Sequence, residues 1–214
     1  MKATFLLLFG FLLSLNVMSQ TSAQSQIDAF IKEAQDFIAK KDYKQAQLSL
    51  QDAINNINIL VAEDIAKSLP AEINGLKAEN DGDVNTGAMG MVGGGFTITK
   101  RYAHPTNKDN TAEVQIMGNS PLLSTMNMAL ANPAMMGQDY KSVRVGSQRA
   151  IMKSEMQDFY DDNGNSHKAR SSEIQIPLNQ TLIKIDANGF ASEQAELDFA
   201  NKLDIPKLKT QLGE

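Results

Sequence analysis

Methionine is the residue type in this chain whose spacing invites a chemical reading. Met89 and Met91 stand in the run MGMVGGGF (residues 89–96), Met126 and Met128 repeat the M-x-M spacing, and Met135 adjoins Met136. Thioethers are soft ligands that suit Cu(I), and a chain without cysteine would have to hold such an ion with Met and His. The candidate clasp is Met89, Met91 and His104. Against it, the chain has only two histidines, His104 and His167. A helix would also set Met126 and Met128 about 200° apart, so both cannot face one ion. Methionine is equally the adaptable filler of irregular cores and promiscuous apolar grooves. Core filling is the commoner use; the functional reading is a binding surface made of Met89, Met91, Phe96, Met126, Met128, Met135 and Met136 that takes a protein or an apolar ligand. Cu(I) binding is the alternative, and no motif implies a resident cofactor.

Other constellations fail on their spacing. Gly90 and Gly95 have the gap of a phosphate loop, but Phe96 and Thr97 stand where Lys and Ser/Thr are needed, and a strand follows instead of a helix. The acidic run Asp158 to Asn165 does not fit a calcium loop: counting back from Gly164 puts Phe159 first and Arg170 twelfth. Asn163-Gly164 reads better as a hairpin turn. No Gly-x-Ser-x-Gly occurs, neither histidine carries a catalytic motif, and both lie in polar turns that favour solvation. Glu193 and Glu196, among charged neighbours, read as a wet helix face. The chain is expected not to be an enzyme; an unrecognised hydrolase is the second alternative.

The elements that position these residues begin after an address. Lys2 and the apolar run Phe5 to Leu15 have the form of a signal peptide, residues 1–23, cut after Ser19 or Ala23. That run is shorter than the ~18–20 residues that span a bilayer, and no later segment is apolar enough to do so. The absence of cysteine removes disulfides, a thiol nucleophile and the lipidated cysteine of bacterial lipoproteins. A periplasmic or secreted bacterial location is expected. The net charge of −5, with no cluster of Lys/Arg, argues against nucleic acid and anionic lipid.

Residues 24–68 carry the helical period. Ile27, Phe30, Ile31, Ala34, Phe37 and Ile38 form one apolar stripe. Lys40-Lys41-Asp42 makes a turn, and Tyr43, Ala46, Leu50, Ala53, Ile54, Ile57 and Val61 form a second stripe that ends before Pro70. Residues 69–214 then alternate with period two. Strands are predicted over 96–102 and 112–117 as a hairpin, then over 141–145 with 149–153 and 172–178 with 182–186. A helix from Leu122 to Ala131 is predicted with Ser120 as its cap and Pro121 in its first turn. Another starts at Glu193 behind Ser192, and a short one follows Pro206. The fold class is α+β: an αα-hairpin followed by an antiparallel sheet with helices on one face.

The spacing of Phe30, Ala34, Phe37, Ala46, Leu50 and Ala53 resembles one tetratricopeptide repeat, with departures at Glu33 and Asn58. One copy cannot bury its own face, since such solenoids need about three. The succession LPAEINGLKA, a strand hairpin, NSPLL, YKSVRVGSQRAIMK with Val143, Val145, Gly146 and Ala150, and TLIKIDANGF resembles the PsbP/Mog1-type α+β sandwich over Leu69 to Gly213. That resemblance implies a binding or assembly role and brings no catalytic motif.

Overall fold

A computed structural model describes residues 23–85, 95–132, 136–160 and 164–214. The leader run, the cleavage position after Ser19, and Met89, Met91 and Met135 lie outside them. The chain divides between Leu60 and Val61 into two compact units.

The first unit is a helical hairpin of α1 (23–39) and the first part of α2 (Tyr43–Ser68). In the turn Lys41 adopts a left-handed φ of 59°, and Asp42 N donates to Phe37 O at 2.9 Å. Ile27, Ala34, Ala46 and Ala53 are buried, small enough in three cases for the helices to approach closely. Ser49 is buried with them, and its Oγ donates to Glu33 Oε2 at 2.9 Å. Glu33, an odd residue beside an apolar seam, thereby has a partner.

The second unit starts at Val61 rather than at Leu69, because the last turns of α2 belong to the sheet's core: Ala62, Ile65 and Ala66 are buried in it. Its strands are β1 (Glu72–Ile73), β2 (Leu76–Ala78), β3 (Asp83–Asn85), β4 (Phe96–Ala103), β5 (Thr111–Gly118), β6 (Tyr140–Val145), β7 (Gln148–Tyr160), β8 (Ser166–Pro177) and β9 (Thr181–Asn188). They form one antiparallel sheet in the order β1-β2-β4-β5-β9-β8-β7-β6, with β3 also paired to β4. Alternate residues feed the core: Ile98 and Tyr102, Val114 and Ile116, Ile183 and Ile185, Ile174 and Ile176 are all fully buried. Two helices cover this face beside the end of α2, namely α4 (Glu193–Asn201) and α5 (Ile205–Leu212). The Phe199 ring on α4 meets Tyr102 and Phe190 edge-on at 5.5 and 5.7 Å.

Two ionisable side chains go under these helices. Lys100 is buried, and its Nζ donates to the carbonyls of Ala66 and Leu69 at 3.3 and 3.2 Å, closing the C-terminal end of α2. Burial pushes its pKa below the ordinary lysine value, with Asp81 opposing. Tyr102 donates to Pro70 O at 2.9 Å, and burial raises its pKa.

The α+β class, the N-terminal hairpin and the antiparallel sheet are as the periodicity predicts. Three details differ. First, α3 (Leu123–Ala131) packs on the sheet face opposite α4 and α5, over Met117 and Leu182. Second, it starts at Leu123 with no side-chain cap, and Ser120 Oγ accepts instead from Leu122 N at 3.4 Å, in the turn that precedes it. Third, β7 and β8 run on past the expected ends to make a long hairpin. The cross-strand pair Asp158 and Lys168, 3.7 Å apart, lets this acidic stretch pair as strand. Ser192 does cap α4, accepting from Ala195 N at 3.2 Å.

Candidate functional site

The methionines part company. Met126 is buried at 4% exposure, with Met117 and Leu182 in a small second core against which Leu123 and Met136 pack. Met128, two residues on, is 61% exposed, as the angular spacing on a helix requires. Phe96 is buried on the other face, its ring lying over Gly118 so closely that an added Cβ would come within 2.4 Å of it. Phe96 and Met126 therefore leave the expected binding surface: both fill cores, and Met136 buttresses one. Met128 is the candidate left open among the described residues. Among those residues no group of three or more His, Asp or Glu gathers to hold a metal.

The sheet's second face, beyond α3, is polar. One row crosses five strands by register: Arg101, Glu113, Asp186, Glu173 and Lys153. Arg101 reaches Glu113 at 2.9 Å and Asp83 at 3.6 Å. Lys184 reaches Asp186 at 2.9 Å and Glu173 at 3.1 Å, and Lys153 reaches Glu155 at 3.1 Å. Burial raises the Asp186 carboxyl above the usual range, and neighbouring Glu173 and Glu113 add to the rise against the pull of Lys184. For Lys184 burial works downward, but its bonds to Asp186 and Glu173 outweigh it and raise the pKa. Two shallow clefts meet at Asp186, one toward Tyr140, Lys153 and Gln157, the other toward Glu79, Arg101 and Asn188. The charges on this face largely answer one another, so it reads as a solvated, mutually neutralised surface.

The two histidines are engaged rather than free in solvent. His104 Nδ1 accepts from Thr106 N and Asn107 N at 3.3 and 3.2 Å inside its own turn. His167 Nε2 lies 2.8 Å from Asp109 Oδ2, tying the long β7–β8 hairpin to the β4–β5 turn. The expected wet face of α4 needs correction as well. Glu196 is fully buried, bonded by Arg170 Nε at 2.9 and 3.0 Å and by Ser172 Oγ at 2.7 Å. The charge pattern of the helix gave no hint of this, because the partners come from β8, distant in sequence.

Among the residues that the hairpin unit exposes is a set of large apolar side chains. Ile31 and Ile38 on α1 and Tyr43, Leu50, Ile54 and Ile57 on α2 are exposed, from 39% for Ile31 to 62% for Tyr43. Ile31 and Ile38 stand about 40–60° around α1 from the buried Ile27 and Ala34, and Tyr43, Leu50 and Ile57 stand as far around α2 from Ala46 and Ala53, in the same rotational sense. In an antiparallel pair, turning both helices in one sense presents one face. The stripe was legible in the sequence, but its seven-residue steps mark two adjacent lines on each helix, one buried and one open.

No family model and no curated protein matches the chain. Among solved structures it is similar to a crystal structure from Bacteroides thetaiotaomicron VPI-5482, at 9% identity and a TM-score of 0.35. That likeness covers 59% of this chain and 42% of the other, and it is too slight to carry an argument about fold or function. The tetratricopeptide and PsbP/Mog1 resemblances rest on the residues quoted for them.

Proposed function

We propose that this chain is a non-catalytic binding or assembly protein that works outside the bacterial cytoplasm and takes a protein partner on the apolar face of its helical hairpin. The observation that carries the reading is the exposure of Ile31, Ile38, Tyr43, Leu50, Ile54 and Ile57 on one face. Large apolar side chains scattered singly are normal on a surface, but a contiguous set rimmed by polar residues marks an interaction site. The rim here is amide-rich, with Gln24, Gln35, Gln47 and Gln51. The leader-like run Phe5 to Leu15 and the absence of cysteine favour export. Immobilised full chain, compared with a Leu50→Lys/Ile57→Lys variant of unchanged helicity, tests the reading. A protein retained by the first and lost by the second supports it; identical retention by both sinks it.

A second reading, Cu(I) binding, draws on the meeting of Met117, Met126 and Met136 in the second core. Titration of the chain with Cu(I) under anaerobic conditions, against a Met126→Leu variant, checks it. Equal uptake by both would end it.

A further inference from the structure

We infer that the occupant of the hairpin's apolar face is a second copy of this chain, the two hairpins closing into an antiparallel four-helix arrangement about a twofold axis. The inference rests on the reading of that face as a protein-binding surface, and it adds the partner. Three properties of the face point to a copy of itself.

The first is period. Ile31 and Ile38, and Tyr43, Leu50 and Ile57, repeat at seven residues, the spacing of an a/d seam in helices packed side by side along their length. A seam of this kind suits long helices lying lengthwise, not a small ligand or an extended peptide. The second is charge. Lys32, Lys40, Lys41 and Lys44 outnumber Glu33, Asp36 and Asp42 in the half of the hairpin toward the turn, while Asp28 and Asp52 stand in the other half without a Lys or Arg. A twofold axis across the hairpin lays the basic turn end of one copy over the acidic end of the other, so the surface is complementary to itself. A partner of uniform charge would meet repulsion at one end.

The third is area. Six large side chains exposed by 39–62% offer on the order of 500 Å² of apolar surface. With the glutamine rim this approaches the ~800 Å² per partner of a standard stable interface. The neutral amide rim adds hydrogen bonding without a desolvated charge at the centre.

Sedimentation of the full chain over a range of concentrations tests the proposal. The expected result is a reversible monomer–dimer equilibrium. Leu50→Lys should weaken it at least 100-fold, while Leu48→Lys, at an exposed apolar residue on another side of α2, should leave it unchanged. Lys44→Glu should weaken it about tenfold, and Asp28→Lys in the same chain should restore it. Leu50→Ser, gentler on the helix, should act in the same direction as Leu50→Lys. A chain that stays monomeric at about 100 µM, or a dimer indifferent to Leu50 substitution, overturns the proposal. If the chain is monomeric but Tyr43 cross-links to a different protein, the dimer fails and the binding role stands; if Tyr43 cross-links to nothing, both fail.

Discussion

Arg170 on β8 holds Glu196 on α4 by its Nε, 2.9 and 3.0 Å from the two carboxylate oxygens, with Ser154 Oγ 2.8 Å from the same guanidinium. Glu196 is fully buried and the Arg170 side chain is one-quarter exposed, so the carboxylate depends on this one cation and on Ser172. Removing one member leaves a buried charge unanswered. Glu196→Leu and Arg170→Met are each expected to lower unfolding free energy by about 3 kcal/mol. The pair Arg170→Met/Glu196→Leu should lose less than the two single losses together. Urea denaturation of the four species in a double-mutant cycle measures this. Additive losses would show that the ion pair is not a coupled unit.

The two methionines of α3 make a clean contrast on one helix. Met126 is closed in the second core and Met128 is open to solvent. Met126→Ala should cost about 2–4 kcal/mol through lost packing and a cavity. Met128→Ala should stay within about 0.5 kcal/mol. Equal effects in thermal or urea unfolding would contradict the assignment of Met126 to a core.

Lys100 has a structural task that a hydrophobic replacement cannot perform. Its two bonds to Ala66 O and Leu69 O finish α2 inside the core of the sheet unit. Lys100→Met is expected to cost about 1–3 kcal/mol by leaving those acceptors without a donor. Equilibrium unfolding measures the loss; an unchanged or raised stability would mean that relief of the buried charge outweighs the cap.

Asp186 gives the pH dependence. Its folded pKa is raised above 3.8, chiefly by burial, so the folded state holds the proton more firmly than the unfolded chain. The stability from this group is fully present below 3.8 and is lost as pH rises through the higher folded value. Asp186→Asn should therefore gain on the wild type between about pH 3 and pH 7, by less than about 1 kcal/mol because the side chain is partly solvated. Chemical denaturation at the two pH values reads the difference. A variant that loses stability relative to the wild type from pH 3 to pH 7 would contradict the direction.

Local pattern revealed much of this fold. The helical hairpin, the β4–β5 hairpin and the Ser192 cap follow from periodicity and turn chemistry that act within a few residues. What the pattern hid was long-range. Glu196 looks solvated until β8 brings Arg170 against it, and Lys100 looks out of place on the inward line of Phe96, Ile98 and Tyr102 until the end of α2 descends on it. The methionine reading failed for Met126 because composition reports adaptability and not location: the same side chain that suits an open groove also fills a small core. The apolar residues of the hairpin were all visible in sequence. Their division into buried Ala and Ile lines and an open Ile/Leu/Tyr face becomes visible once the two helices lie antiparallel.

On the proposed function, the face holding Tyr43, Leu50 and Ile57 meets a protein. A photoreactive aromatic residue in place of Tyr43, in the full chain within the cells that make it, tests this directly. The expected result is a light-dependent adduct from position 43 that Leu50→Lys abolishes, and none from a control at exposed Tyr160 on the β7–β8 hairpin. No adduct from 43, or adducts equally from 43 and 160, would contradict it.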